Sequence, residues 1–80
     1  MIPPRIKSVK TFDNFCIEIL YVTGEKKIYD MKEKLKYSCY KNLNNIGYFM
    51  LAKSADTTIQ WPQGEDIDPN DLYDNSMAIN

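Results

Sequence analysis

Apolar and polar positions alternate through the first thirty residues, which predicts consecutive β-strands. The clearest strand spans residues 15–22, and we expect it to be central and covered on both sides over part of its length. It places Phe15, Ile17, Ile19 and Tyr21 on one face, and Cys16, Glu18, Leu20 and Val22 on the other. Residues 5–12 and 25–30 read as strands on either side of it in sequence.

Turn-forming residues separate these three strands. Asp13 and Asn14 bond nearby backbone groups and tolerate left-handed conformations. Thr23 and Gly24 form the second turn, where glycine supplies a positive φ that threonine adopts poorly, so we expect a three-residue loop with a glycine bulge. The pattern therefore predicts an antiparallel three-stranded meander.

The period changes after residue 30. Met31, Leu35 and Cys39 recur every four residues while the lysines between them face outward, which predicts a short amphipathic helix with Asp30 near its N-cap. Asparagines then break the pattern. Residues 46–50 are consistent either with a second short helical turn or with a direct lead into a strand.

The C-terminal part predicts a strand, a capped helix and a tail. Residues 57–61 alternate as a strand does and end at Pro62. Asp68 and Pro69 are typical of a helix start, with Leu72 and Tyr73 as its buried members, and residues 75–80 read as a frayed tail. We expect one α+β domain over residues 1–80, ordered from about 4 to 74, with a sheet built from the meander and a C-terminal hairpin.

Composition excludes several classes of chemistry. A chain of 80 residues buries only about 60% of the surface that it exposes when unfolded, so the core is thin. There is no histidine and there are two cysteines, which removes the commonest general base and the usual zinc ligands. The acids from Asp66 onward resemble the opening of a calcium loop, but Asp71 and Met77 stand where that loop needs glycine and glutamate. We expect no enzymatic activity, no metal and no cofactor.

Charge is segregated along the chain. Residues 1–53 hold ten basic and five acidic residues, a net charge of +5, whereas residues 54–80 hold six acidic residues and no basic one, a net charge of −6. Either the acidic part folds back beside the basic part and the charges mix in space, or the domain has a basic face that meets an acidic protein or a phosphate backbone.

The location of the protein is inferred from absent signals. No uninterrupted apolar stretch has the length of a signal peptide or of a membrane span, so we expect a cytoplasmic protein. Cys16 and Cys39 are then expected to be reduced, buried thiols rather than a disulfide.

Aromatic and basic residues supply the candidates for binding. Core packing is the default for each aromatic residue, yet tyrosine and tryptophan are also enriched at interfaces. The candidates for a partner-binding face are Tyr29, Tyr37, Tyr40, Trp61, Lys26 and Lys27. Two alternatives stay open, namely a small-ligand pocket near Trp61 and a weak nucleic-acid contact through the lysine-rich segment 26–36.

Residues 58–73, read T-I-Q-W-P-Q-G-E-D-I-D-P-N-D-L-Y, resemble the signature of domain-of-unknown-function family 2442. Residues 4–9 and 24–31 are similar to two further segments of that family, while Thr23 and Gln63 each replace a usual asparagine. The resemblance implies a small bacterial α+β domain. Members are often encoded beside a second small family, which implies a toxin–antitoxin or other two-component pairing.

We therefore expect a non-enzymatic interaction module. Its partner would be another protein, antitoxin-like in pairing with a small neighbouring protein, or a second copy in a dimer, with contact through a sheet edge or exposed aromatic residues. Nucleic acid is a less favoured partner, and a membrane is not expected.

Overall fold

The computed structural model of the chain describes residues 2–79 and confirms the α+β class. The meander consists of β1 (Ile6–Thr11), β2 (Cys16–Tyr21) and β3 (Lys26–Asp30). A separate antiparallel hairpin of β4 (Lys53–Ala55) and β5 (Thr58–Gln60) follows, and a last strand, β6 (Met77–Ala78), returns to the meander. The larger sheet is antiparallel and has the order β1-β2-β3-β6.

The register of the meander places its large apolar side chains on one face. Ile19 lies opposite Val9 of β1 and Lys27 of β3, and Ile17 lies opposite Tyr29. The predicted alternation of β2 is confirmed, since Ile17, Ile19 and Tyr21 are all fully buried. The other face of β2 is less covered, because the side chains that lie on it, those of Cys16, Glu18 and Leu20, are only half-buried.

The two turns of the meander show why these residues stand there. Tyr21 N–H donates to the Glu25 carbonyl at 2.9 Å, which closes a three-residue loop with Gly24 at φ 93°, as predicted. Phe15, predicted as the first residue of β2, instead lies in the preceding turn at φ 64°. Its ring packs edge-on against Phe49 with centroids 5.2 Å apart, and this contact holds the unfavourable backbone in place.

The segment predicted as a helix from Met31 is helical, but it is not one regular α-helix. Two 3₁₀ helices, Lys32–Lys36 and Ser38–Asn44, form it, and they are separated at Tyr37 by extended backbone (φ −79°, ψ 140°). The Asp30 side chain accepts the Lys32 N–H at 2.9 Å at the start of the first one, as predicted. A regular helix would direct Cys39 toward the core. The break directs Leu43 there instead, and leucine buries more apolar area than cysteine.

The expected burial of the two thiols is also corrected. Cys39 is exposed and Cys16 is half-buried, and both are free. Cys39 turns outward as a result of the break at Tyr37, whereas Cys16 lies on the less covered face of β2.

The segment left open between helix and strand is helical. Helix α1 (Ile46–Phe49) starts where the Asn45 side chain accepts the Tyr48 N–H at 3.3 Å. The chain then enters β4 at Lys53. Phe49, the last residue of α1, is fully buried, so this single turn serves to place one aromatic ring in the core.

Helix α2 (Pro69–Asn75) begins as predicted. The Asp68 side chain accepts the N–H groups of Asn70 and Asp71, Pro69 occupies the first turn, and Leu72 is fully buried. The frayed tail expected over residues 75–80 is not what the structure shows for residues 77–79, which continue into and just past strand β6. Asn80 lies outside the described residues. The apolar residues of β6 pair with the open edge of β3, where Met77 lies opposite Ile28.

Tyr21 is an exception in an otherwise well-paired core. Its hydroxyl is buried and, among the described residues, has no hydrogen-bond partner. Burial raises the pKa of Tyr21 to about 12, with the nearby Tyr73 and Glu25 contributing in the same direction. A buried hydroxyl without a partner costs roughly 1–3 kcal/mol of stability.

We predict that Tyr21→Phe leaves the free energy of unfolding unchanged or raises it by up to about 1 kcal/mol, because phenylalanine keeps the ring and removes the unpaired group. Tyr29→Phe is the matched variant, since the buried Tyr29 hydroxyl donates to Asp71 at 3.1 Å. It should lower stability by about 1–2 kcal/mol. Urea unfolding of both variants checks this, and a clear loss of stability in Tyr21→Phe would contradict it.

Candidate interaction surface

Two of the four aromatic candidates are core residues. Trp61 and Tyr29 each expose only 2% of their surface. The Trp61 Nε1–H donates to the Phe49 carbonyl at 2.9 Å, and the Tyr29 hydroxyl donates to Asp71. Neither ring is available to a partner, contrary to the expectation. Each ring fills part of the thin core, and the polar group that it carries already has a hydrogen-bond partner within the chain.

The other two aromatic candidates lie nearer the surface. Tyr40 is half-buried against the core, and its hydroxyl donates to the Asp66 carbonyl at 2.9 Å. Tyr37 is 49% exposed, with the amines of Lys34 and Lys36 at 5.9 and 5.7 Å from its ring centre. Of the four predicted rings, Tyr37 is therefore the one that a partner can reach.

The two lysine candidates face opposite ways from β3. Lys27 lies on the helix-covered face, where its Nζ donates to the Tyr73 carbonyl at 2.6 Å and sits 3.8 Å from the centre of the Tyr73 ring. Lys26 lies opposite Leu20 on the other face.

Two further lysines of segment 26–36 form ion pairs. Lys32 pairs with Asp30 at 3.2 Å, and Lys34 pairs with Asp71 at 3.4 Å. The lysine-rich segment is thus divided between surfaces rather than gathered into one basic patch.

The two charged halves of the chain meet in space at the described ion pairs. Arg5 pairs with Asp56 at 2.8 Å, and Lys34 pairs with Asp71 across the gap between the first 3₁₀ helix and α2. These pairs favour mixed charge over a simple dipole.

A hydrogen-bonded carboxylate, that of Glu65, holds the turn after Trp61 in place. Glu65 accepts the Tyr48 hydroxyl at 2.6 Å and the Asn42 side-chain amide at 3.0 Å, and the Gln63 N–H donates to the same Tyr48 oxygen at 2.8 Å. The Tyr48 hydroxyl is the main reason that the pKa of Glu65 lies below its usual range. A carboxylate of this kind stays ionised near neutral pH, which suits a structural role better than that of a general acid.

A surface that the aromatic residues did not point to lies on the uncovered side of the larger sheet. We call it the outer sheet face, and it is made of Ser8, Lys10, Cys16, Glu18, Leu20, Lys26, Ile28, Asp30, Met77 and Ile79. Apolar and charged residues are mixed on it, since Lys26 lies opposite Leu20 and Glu18 lies opposite Ile28. Leu20 and Ile28 are half-buried yet do not belong to the core, and Met77 and Ile79 are 74% and 45% exposed.

The strand alternation carried a signal for this face. Leu20 and Ile28 are apolar residues at positions that an exposed strand face usually gives to polar ones. Met77 and Ile79 were missed, because two apolar residues near the end of a chain show no period.

The depressions on the molecule are shallow. One of about 290 Å³ lies beside Trp61, between Lys53 and Gly64, and no tyrosine lines it. Larger ones of about 480 and 610 Å³ lie next to Asp71 and next to Tyr40 and are lined by several carboxylates. Over residues 2–79, no group of three or more cysteines and carboxylates is placed to hold a metal ion, and no helix has the length and apolar character needed to cross a membrane.

The segment from Trp61 to Tyr73 supplies buried residues, a turn and a helix cap. Trp61, Ile67 and Leu72 are buried, Gly64 adopts φ 101°, and Asp68 caps α2. A family model described as "Protein of unknown function (DUF2442)" matches residues 6–78. The chain belongs to the DUF2442 family. No curated protein and no solved structure matches it. The DUF2442 residues that carry the resemblance are core and turn residues, so they account for the fold.

We predict that Tyr48→Phe destabilises the DUF2442 domain at pH 7 and that the difference from wild type shrinks on acidification. The folded-state pKa of Glu65 is lowered, so its stabilisation is present above the unfolded value of about 4.3 and is lost as the pH falls through the folded value. Thermal unfolding from pH 7 to pH 3 measures this.

Tyr40→Phe is the control for this titration. The Tyr40 hydroxyl donates to a backbone carbonyl instead of a carboxylate. The loss of stability in Tyr40→Phe should therefore not depend on the protonation of Glu65. Parallel pH profiles for the two variants would show that the hydrogen bond between Tyr48 and Glu65 does not depend on the charge of Glu65.

Proposed function

We propose that this DUF2442 chain is a non-enzymatic module that binds another protein, and that the outer sheet face is its contact surface. The observation that supports this most directly is the one-sided core. Ile17, Ile19 and Tyr21 are fully buried on the inner face, whereas the outer face presents apolar side chains, such as Leu20 and Ile28, that lie outside the core. Exposed contiguous apolar surface of this kind marks protein contacts.

The outer sheet face combines apolar and charged side chains. Two lysines and two carboxylates lie among its apolar residues: Lys10 and Ile28 lie opposite Glu18 on the two neighbouring strands, and Lys26 lies opposite Leu20. A protein interface as a whole is about as polar as the rest of the surface, so this mixture is compatible with a specific contact. The charged residues favour one orientation of the partner, while the apolar ones supply the area that is removed from water.

The alternatives have less support. The depression beside Trp61 lacks the tyrosines that a ligand pocket there was expected to use. Three of the five lysines in segment 26–36 are engaged within the chain, with Asp30, Asp71 and the Tyr73 carbonyl. The finer parts of the proposal, an antitoxin-like pairing with a small neighbouring protein and a cytoplasmic location, rest on the family resemblance and on the sequence.

We predict that Ile28→Glu weakens binding to the product of the adjacent gene by at least about tenfold, because it places a charge in the centre of the outer sheet face. The two proteins are co-expressed, and the affinity is measured by titration calorimetry. Circular dichroism establishes that the variant is folded.

Leu51→Glu is the matched control. Leu51 is 51% exposed but lies after α1 and in none of the strands of the larger sheet, so the same change of charge there should leave binding intact. Equal losses in both variants, or no binding by the wild type, would overturn the proposed contact surface.

A further inference from the structure

The two edges of the larger sheet are protected to different degrees. Beside β1, Arg5, Lys7 and Lys10 carry positive charge, and the neighbouring hairpin bonds to the strand where Ile6 N–H donates to the Asp56 carbonyl at 2.7 Å. Lysines and covering loops are the means by which proteins prevent pairing at a sheet edge. At the opposite edge, residues 77–79 are Met, Ala and Ile and carry no charged side chain.

The backbone of β6 is oriented for further pairing. Ile79 N–H donates to the Lys26 carbonyl at 3.0 Å, so this residue faces β3. Along an antiparallel strand, successive residues direct their N–H and C=O groups to opposite sides. Ala78, which lies opposite Lys27, therefore directs both of its backbone groups away from β3, toward the open edge.

We propose that this edge pairs with β6 of a second copy of the chain, antiparallel about a two-fold axis at Ala78. In that arrangement the two Ala78 residues exchange both backbone hydrogen bonds, and Met77 of each copy lies opposite Ile79 of the other. Met77 and Ile79 are both on the outer sheet face, so two apolar cross-strand pairs form on one side of the joined sheets.

A second copy is the occupant that the charges favour. The edge is uncharged, so two identical edges meet without repulsion, whereas the basic β1 edge would repel its own copy. Pairing also joins two outer sheet faces into one continuous surface. The inference rests on the proposed function, since it names one partner of the same surface. Because the edge is three residues long, the dimer is a weak one that forms with rising concentration.

Ala78→Pro tests the backbone part of the proposal. Proline removes an N–H that points away from β3, so the pairing of β6 within the chain is retained while pairing between copies is blocked. Sedimentation equilibrium of the full chain over a wide concentration range should show a monomer–dimer equilibrium for wild type and for the control Ala78→Ser, and a monomer for Ala78→Pro. A wild-type chain that stays monomeric at all concentrations overturns the inference.

A charge exchange tests the register and does not depend on proline being tolerated. Met77→Lys alone should weaken the dimer roughly tenfold, because it removes both apolar cross-strand pairs. Adding Ile79→Glu to the same chain places each lysine opposite a glutamate of the other copy and should restore dimerisation. If the double variant is as weak as or weaker than Met77→Lys, the two-fold arrangement at Ala78 is wrong.

The outcomes separate this inference from the proposed function. A monomeric wild type that still binds the neighbouring protein through Ile28 leaves the function intact and removes the dimer. Loss of both the dimer and the heterologous contact would remove both proposals.

Discussion

The hydrogen bond from the Trp61 indole to the Phe49 carbonyl is the contact on which the rest of the structure depends. It joins the residue that directly follows β5 to α1, and the Trp61 and Phe49 rings pack with centroids 6.0 Å apart. Phe49 in turn contacts Phe15, which stands at the entry to β2. This chain of three aromatic rings connects the meander, the central helical segment and the C-terminal hairpin, so one buried cluster fixes all three parts of the sequence relative to each other.

A cluster of this size can cover only one side of a sheet. In an 80-residue chain the fully buried side chains form one core on the inner face, and no described element lies over the outer face as a third layer. The half-buried Leu20 and Ile28 are the consequence, since they belong to central strands but lie on the uncovered side. The exposed apolar surface thus follows from the small size of the core, which covers only the inner face of the sheet. A partner that binds the outer face would bury this surface.

Sequence reasoning predicted the elements whose signals are local. The alternation of β2, the loop at Gly24 and the cap at Asp68 each depend on a few adjacent residues, and all three are present. It failed where distant contacts decide the outcome. Whether Cys39 or Leu43 enters the core depends on the space left by Trp61 and Phe49, and no periodicity reports that space. Two of the aromatic site candidates, Tyr29 and Trp61, are core residues for the same reason, because residue type does not distinguish a core ring from an exposed one.

The basic and acidic parts of the sequence do not form separate basic and acidic faces at the described ion pairs. The acidic C-terminal part neutralises basic residues on the helical side, as the pair of Lys34 and Asp71 shows. The charges of the outer sheet face come instead from the meander itself, where Lys10 and Glu18 face each other across neighbouring strands. A partner that approaches this face therefore meets no strong net field, and electrostatics sets its orientation more than its affinity. The affinity must then come mainly from the apolar side chains of this face, which the partner removes from water.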